Sequence, residues 1–216
     1  MSHMTSAAQL ERQALCDTFV RVGPDAPTLS DPWRTRDLAA HLVIRDSRPD
    51  LAVGMVVPPL MGRLVAARRD LAAGDWATLV DTLRQGPPAL SPARITAVDK
   101  AVNLVEFFIH HEDVLRATPG DERRRPEPLL ERALWQAMRR GGRLMYRRST
   151  VGAVLVAEGF SRYAVKGPGD EGTVVLRGRP GELLLFSYGR ERVADVEVEG
   201  PDAAVAAISD ARLGLS

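Results

Sequence analysis

The sequence predicts an α+β protein, with a helical N-terminal part followed by a small α/β unit. Up to about residue 148, apolar residues recur with the 3.6-residue period of amphipathic helices. Beyond residue 150, Val-rich segments alternate at period two, as strands with one buried face do. We therefore divide the chain of 216 residues into a helical domain at 4–148 and a small domain at 150–216.

The first part of the chain is expected to consist of helices separated by Pro- and Gly-rich turns. Thr35 and Asp75 are expected to cap the second and fourth helices, since a side-chain oxygen there accepts from free backbone N–H groups. The double glycine at 141–142 is costly inside a helix and is expected to mark a bend. The predicted helices are 5–22, 36–46, 59–73, 75–83, 93–117 and 127–147.

The second part is expected to combine strands with two short helices. The segments AVLVAEGFSRYAVKG, GTVVLRG and VADVEVEG alternate at period two and predict strands. GRPGELLLFSYGR predicts a turn followed by a helix. PDAAVAAISDARLG predicts a helix that begins at Pro201 or Asp202.

Composition excludes several classes of protein. Hydrophobic residues make up 45% of the chain, which suffices for a core and argues against global disorder. The 29 basic and 28 acidic residues leave a net charge of +1, so charge gives no case for a nucleic-acid or membrane partner. The apolar run LAVGMVVPPLMG is interrupted by two prolines and is too short to span a bilayer.

Cys16 is the only cysteine, so no disulfide can form within the chain. This usage fits a reducing, cytoplasmic location. Cys16 lies in a helical pattern beside Leu15, Phe19 and Val20, which indicates a core position. The alternative is a reactive nucleophile. The oligomeric state is not indicated by any pattern.

The stretch NLVEFFIHHEDVLRA, at 103–117, places several polar residues in an otherwise apolar helix. At 100° per residue, Glu106, His110 and Asp113 project within about 60° of one another and share one face. His111 and Glu112 point elsewhere, and we expect them on a solvated edge. An acid and an imidazole among bulky apolar neighbours are costly unless they are paired or bind a metal.

Glu106 and His110 are four residues apart and can reach one metal ion, as histidine pairs at this spacing do in zinc-binding helices. Asp113, one turn beyond His110, can accept a hydrogen bond from the free ring N–H. An ordinary pair on a helix surface explains the same spacing. The spacing therefore leaves both interpretations open.

A third ligand has to come from another helix. His41, on the second predicted helix, is the candidate, because His3 lies in the leading MSHM, which is typical of an expression tag. Neighbouring helices of a bundle can bring His41 opposite the other two residues. Asp37 lies one turn before His41 on the same face. It is either an acid favoured at the start of a helix or a group that supports the ligands.

Taken together, these segments resemble the mycothiol-dependent maleylpyruvate isomerase family, which belongs to the DinB-like four-helix-bundle superfamily. WRTRDLAAHL is similar to the family segment Trp-Thr-x-x-Asp-Leu-x-x-His-Leu, although Thr35 comes one place later than usual. EFFIHHED matches the pattern Glu-x-x-x-His-x-x-Asp. The tail RGRPGELLLFSYGRERVADVEVEGPDAAVAAI resembles the small C-terminal domain of the family, which has a sterol-carrier-like fold. The resemblance covers nearly the whole chain.

The resemblance implies a divalent metal ion, usually zinc, held by His41, Glu106, His110 and water. It implies the low-molecular-weight thiol mycothiol as co-substrate and an electrophilic small molecule as substrate. The reaction implied is either thiol S-transfer or a maleylpyruvate-type cis–trans isomerisation. The alternative to an enzyme is a metal-binding or small-ligand-binding protein of the same fold.

Arginines are the candidates for binding carboxylate groups. The resemblance indicates Arg190, in the YGR of the tail, as a catalytic residue that binds the carboxylates of substrate or thiol. The alternative for Arg190 is a solvated arginine at a helix end. Arg34, Arg36 and Arg45 flank His41 in sequence and are expected to be exposed. Residues 48–97 carry no family pattern and are expected to shape the pocket.

Overall fold

A computed structural model of the chain describes residues 6–52, 57–87, 97–117, 123–211 and 213–214. The chain divides into two compact units, Met1–Arg123 and Arg124–Ser216. The first unit is helical, and the second combines helices with a four-stranded sheet, which confirms the predicted α+β class. Of the helices that the structure describes, none has both the length and the apolar character needed to cross a membrane.

The first unit is built from helices joined by short connections. α1 begins with a capping box, in which the Ser6 hydroxyl accepts from the Gln9 N–H and the Gln9 side chain accepts from the Ser6 N–H. The start predicted for α6, at residue 93, lies outside the described residues. The helices are α1 Ala7–Val22, α2 Thr35–Ser47, α3 Pro49–Ala52, α4 Met61–Ala72, α5 Trp76–Gln85 and α6 Ala97–Leu115, with a 3₁₀ turn at Pro58–Leu60.

The two predicted helix caps have different outcomes. The Asp75 carboxylate accepts from the Thr78 N–H at 2.8 Å, so Asp75 caps α5 as predicted. The prediction for Thr35 is wrong, because Arg34 occupies the N-cap position and Thr35 is the first helical residue. The Thr35 hydroxyl instead donates to the Gly23 carbonyl at 2.6 Å, across the connection between α1 and α2.

Four helices supply most of the described core of the first unit, and α4 adds Ala72. α1, α2, α5 and α6 turn their apolar faces inward, and burial of these faces stabilises the bundle. Cys16 is fully buried among them, as its sequence neighbours predict. The buried Leu and Phe side chains of this cluster are Leu15, Phe19, Leu38, Leu42, Leu79, Leu83 and Phe107.

The second unit is a mixed sheet with helices packed against it. The strand order is β2-β1-β3-β4, in which β1 pairs antiparallel with β2 and parallel with β3, and β3 pairs antiparallel with β4. All eight residues of the central helix α8 are buried. The elements are α7 Pro128–Met145, β1 Gly152–Ala157, β2 Arg162–Lys166, β3 Thr173–Gly178, α8 Pro180–Ser187, β4 Glu197–Glu199 and α9 Asp202–Asp210.

α7 lies in the second unit, whereas the helical domain predicted from the sequence extends to residue 148. It packs against α8 and β2. The helix is continuous through the two glycines at 141–142. A Cβ atom on Gly142 would lie 2.8 Å from Val165 Cγ1, so glycine at this position allows the helix to approach the strand closely.

Candidate metal centre

α2 and α6 bring together the three side chains that the sequence singles out as metal ligands. His41 comes from α2, and Glu106 and His110 come from one face of α6. Each offers one donor atom, and these atoms lie within 4.8 Å of one another. Glu106 Oε2 is 3.5 Å from His110 Nε2. The two imidazole rings stand 5.3 Å apart between centroids and are nearly perpendicular, at 78°.

This donor set fits a divalent metal ion. Two imidazole nitrogens and one carboxylate oxygen form a ligand set typical of catalytic zinc, which keeps one further position for water or substrate. Donors that share a zinc ion lie roughly 2.0–2.2 Å from it. The three donor atoms lie within 4.8 Å of one another, which makes them candidates for binding one ion.

Asp113 orients the second histidine of the centre. Its Oδ2 lies 2.9 Å from His110 Nδ1, and the side chain is fully buried. With Nδ1 engaged, Nε2 is the nitrogen that faces Glu106, as a metal donor requires. Burial would lower the pKa of His110, but hydrogen bonds to Asp113 and Glu106 outweigh it and raise that pKa. A metal ion binds the neutral imidazole, so a proton and a cation compete for this nitrogen.

The other two donors are held in the protonation states that bind cations. Burial, followed by the nearby charge of His110, lowers the pKa of His41 to about 3. His41 is therefore neutral near pH 7. Burial would raise the pKa of Glu106, but the hydrogen bond to His110 and the charge of Arg45 outweigh it and lower that pKa to about 2. Glu106 is therefore an ionised carboxylate near pH 7.

Arg45 lies beside the centre, and the expectation that it is exposed is wrong. Its Nε is 3.5 Å from Glu106 Oε2, and its Nη1 donates to Asn103 Oδ1 at 2.6 Å. The side chain is 16% exposed. Arg45 follows His41 by four residues on α2, and this spacing places both side chains on one helix face. That spacing was the sequence signal for its position.

Trp33 packs against His41, and Arg68 packs against Trp33. The Trp33 ring lies 5.1 Å from the His41 ring between centroids. The Arg68 guanidinium carbon lies 4.3 Å from the centre of the Trp33 ring, which is a cation–π contact. Arg68 belongs to the segment without a family pattern, so no motif indicated it. The charges of Arg45 and Arg68 both lower the pKa of His41, and cations near a site attract anionic ligands.

His111 and Glu112 are buried, so the expectation of a solvated edge is wrong. His111 Nε2 lies 2.8 Å from Thr18 Oγ1, and its Nδ1 lies 2.9 Å from Glu11 Oε1. Glu112 accepts from Arg116 at 2.6 Å. His111 is buried because α1 packs against its face of α6. Glu11 and Thr18 lie seven residues apart, on one face of α1, and this polar spacing was a signal that the sequence reasoning missed.

Asp37 and Arg190, the remaining predicted site residues, have their own local partners. The Asp37 carboxylate accepts from the Arg34 N–H at 3.1 Å, at the start of α2, which is one of the two roles expected for it. Arg190 follows α8 in the second unit. Its Nη1 donates to the Tyr188 carbonyl at 2.6 Å, and its backbone N–H donates to the Leu185 carbonyl at 3.0 Å. A part for either residue in ligand binding stays a prediction.

Solved structures of one enzyme resemble this chain over most of its length. The crystal structure of the mycothiol-dependent maleylpyruvate isomerase matches with a TM-score of 0.54 and 18% sequence identity, covering 91% of this chain and 92% of that chain. A mutant of that isomerase matches with a TM-score of 0.55 and 17% identity, at the same coverage. No family model matches the sequence, and no curated protein matches it significantly. The predicted resemblance is confirmed at the level of the fold: the chain has the fold of the mycothiol-dependent maleylpyruvate isomerase.

Proposed function

We propose that the chain is a divalent-metal-dependent enzyme that uses mycothiol, a low-molecular-weight thiol, as co-substrate. The observation that carries the proposal is the donor set of His41, Glu106 and His110. It occurs in the fold of an enzyme described as a mycothiol-dependent maleylpyruvate isomerase. Zinc is the first candidate for the ion, since its catalytic sites use such donors. A reducing cytoplasm, in which thiols stay free, is part of the proposal.

The side chains of the centre are prepared for this chemistry. His110 is oriented by Asp113, Glu106 is ionised, and His41 is neutral. An ion held by these donors would acidify a thiol, so that the thiolate is available at neutral pH.

The proposed reaction joins the thiol sulfur to an electrophilic carbon of the substrate. In an S-transferase, the new C–S bond remains in the product. In a cis–trans isomerase, the former double bond rotates, the C–S bond breaks, and the thiol is returned unchanged. A substrate with a conjugated cis double bond separates the two activities, because a transferase yields the thiol adduct and an isomerase yields the trans alkene and the free thiol. Epoxides and halides test transfer alone, since formation of the C–S bond breaks a C–O bond of the ring or expels a halide ion.

Arginines are proposed to bind the anionic groups of the ligands. Arg68 contacts Trp33 beside His41, and its planar guanidinium suits a carboxylate. Arg190 remains the proposed catalytic residue that binds a carboxylate of substrate or thiol. Thiol-dependent turnover that is unchanged in Arg190→Ala would remove that role.

Calorimetric titration of mycothiol into the zinc-loaded protein tests the proposal. We expect heat of binding with zinc present and none with the metal-free protein. Mycothiol methylated on sulfur should bind at least about tenfold more weakly, because it cannot supply a thiolate. Glu106→Gln preserves the shape of the side chain and removes its charge, so this variant should lose zinc and, with it, thiol binding.

Each result has a distinct meaning. Zinc binding without mycothiol binding would overturn the thiol assignment and favour a non-catalytic metal-binding protein of the same fold. Full zinc occupancy in Glu106→Ala, which removes every donor atom of the side chain, would show that the ligand set is wrong. Mycothiol binding that does not depend on zinc would separate the thiol from the metal centre.

A further inference from the structure

A compact loop between α1 and α2, residues 28–33, is tied together by its own hydrogen bonds. The buried Thr28 hydroxyl donates to the Trp33 carbonyl at 2.9 Å and accepts from the Ser30 N–H at 3.2 Å. The Trp33 N–H donates back to the Ser30 carbonyl at 3.0 Å. Pro27 and Arg34 form a β-bridge at the base of the loop. The loop therefore has one defined shape, which fixes Ser30 relative to Trp33.

One side of the 28–33 loop is hydrogen-bonded to Asp113, the carboxylate that contacts His110. The Ser30 hydroxyl donates to Asp113 Oδ2 at 3.0 Å, and this oxygen also lies 2.9 Å from His110 Nδ1. The Leu29 N–H donates to the Asp113 carbonyl at 3.0 Å. The loop is therefore hydrogen-bonded to both the side chain and the backbone of Asp113. A carboxylate that is held by such hydrogen bonds orients an imidazole ring better than a carboxylate that can rotate.

The other side of the same loop contacts His41. The Trp33 ring packs at 5.1 Å from the His41 ring, and Arg68 covers Trp33 at 4.3 Å. His41 and His110 belong to different helices, yet each is contacted by the 28–33 loop, either directly or through Asp113. Contacts of this one loop therefore reach both histidines.

We propose that the 28–33 loop is a positioning element that sets both histidine donors of the metal centre, and that Ser30 acts in it through Asp113. The inference rests on the metal centre of the proposed function and goes beyond it, since the loop supplies no ligand itself. Loss of the Ser30 hydroxyl frees Asp113 Oδ2 from one of its donors and lets the His110 ring rotate. A less well oriented ligand binds an ion more weakly.

Cobalt(II) binding tests the proposal, because cobalt reports affinity and ligand geometry in one titration. Ser30→Ala should lower the affinity about tenfold, at the lower end of the range for lost support of a metal ligand, and change the visible absorption of the bound ion. Ser30→Thr keeps the hydroxyl and should restore both. Thr35→Val is the matched control, since it removes a hydroxyl bond across the same connection, to Gly23, without touching Asp113.

The outcomes separate this inference from the proposed function. Wild-type affinity and spectrum in Ser30→Ala would overturn the role of Ser30. An equal loss in Thr35→Val would show general loosening of the connection and would also overturn it. Failure of the wild-type protein to bind cobalt or zinc would remove the metal centre itself, and the positioning role with it. Thermal unfolding of each metal-free variant verifies that all of them are folded.

Discussion

His110 and His111 are consecutive residues with different partners, because successive side chains on a helix point about 100° apart. His110 faces Glu106 and Asp113, at the metal centre. His111 faces α1, where it is hydrogen-bonded to Glu11 and Thr18 in the buried interior. The first histidine belongs to the candidate metal centre, and the second connects two helices through hydrogen bonds.

His111→Leu is expected to reduce the free energy of unfolding by about 1–3 kcal/mol, because buried polar groups on α1 lose a partner. Its effect on metal affinity should stay within about twofold, since the histidine at the ion site is untouched. Urea unfolding of the metal-free protein measures the first quantity, and competition with a chromophoric chelator measures the second. His110→Ala is the comparison, and it should lose the ion. Equal loss of affinity in both variants would place His111 in the metal centre.

At the scale of elements, the packing of α7 on β2 depends on one glycine of a pair. Gly142→Ala should destabilise the second unit by about 1–3 kcal/mol, because the added methyl group overpacks the contact. That Cβ would lie 2.8 Å from Val165 Cγ1 and 3.3 Å from Met138 Sδ.

Gly141→Ala is the matched control, since its nearest neighbour would be Met145 Cε at an ordinary 3.8 Å. It should stabilise the protein by about 0.5–1 kcal/mol, because alanine favours helix over glycine. Thermal unfolding of both variants measures the difference. Equal shifts of the same sign would contradict the close approach of α7 to β2.

Local patterns predicted most elements and the shared face of Glu106 and His110, whereas His41 followed from the family resemblance and from its place on another predicted helix. Asp75 caps its helix because capping is decided by one side chain and the next turn. Glu106 and His110 share a face because helix geometry fixes that relation in any fold. These features depend on neighbours in sequence, which is why sequence patterns were sufficient to find them.

Features that depend on tertiary packing were not predictable in this way. An apolar face on α7 suits a helical bundle or a sheet equally well, so the pattern could not assign the helix to a unit. Arg45 and His111 have side chains that are usually exposed or only partly buried. Their burial follows from partners on other helices, Glu106 on α6 and Glu11 on α1.

At the scale of the whole molecule, the single thiol is a probe of unfolding. Cys16 has no exposed surface, and burial raises the pKa of its thiol to about 11. At pH 8 only about one such thiol in a thousand is ionised, and the thiolate is the reactive form. Both facts argue against the nucleophile alternative. Alkylation of Cys16 therefore requires opening of the core of the first unit.

Metal binding should slow this alkylation in a calculable way. The first unit, Met1–Arg123, contains Cys16 as well as the three donors His41, Glu106 and His110. An ion that binds only the folded unit lowers the opened population by the factor 1 + [M]/Kd. With metal at roughly 100 times Kd, iodoacetamide labelling at pH 8 should slow about 100-fold, provided that reclosing outpaces labelling. Glu106→Gln should label at a rate that does not depend on the ion. If saturating ion left the wild-type rate unchanged, Cys16 would be reached through a local opening that leaves the centre intact, and the core of the first unit would not unfold as one cooperative body.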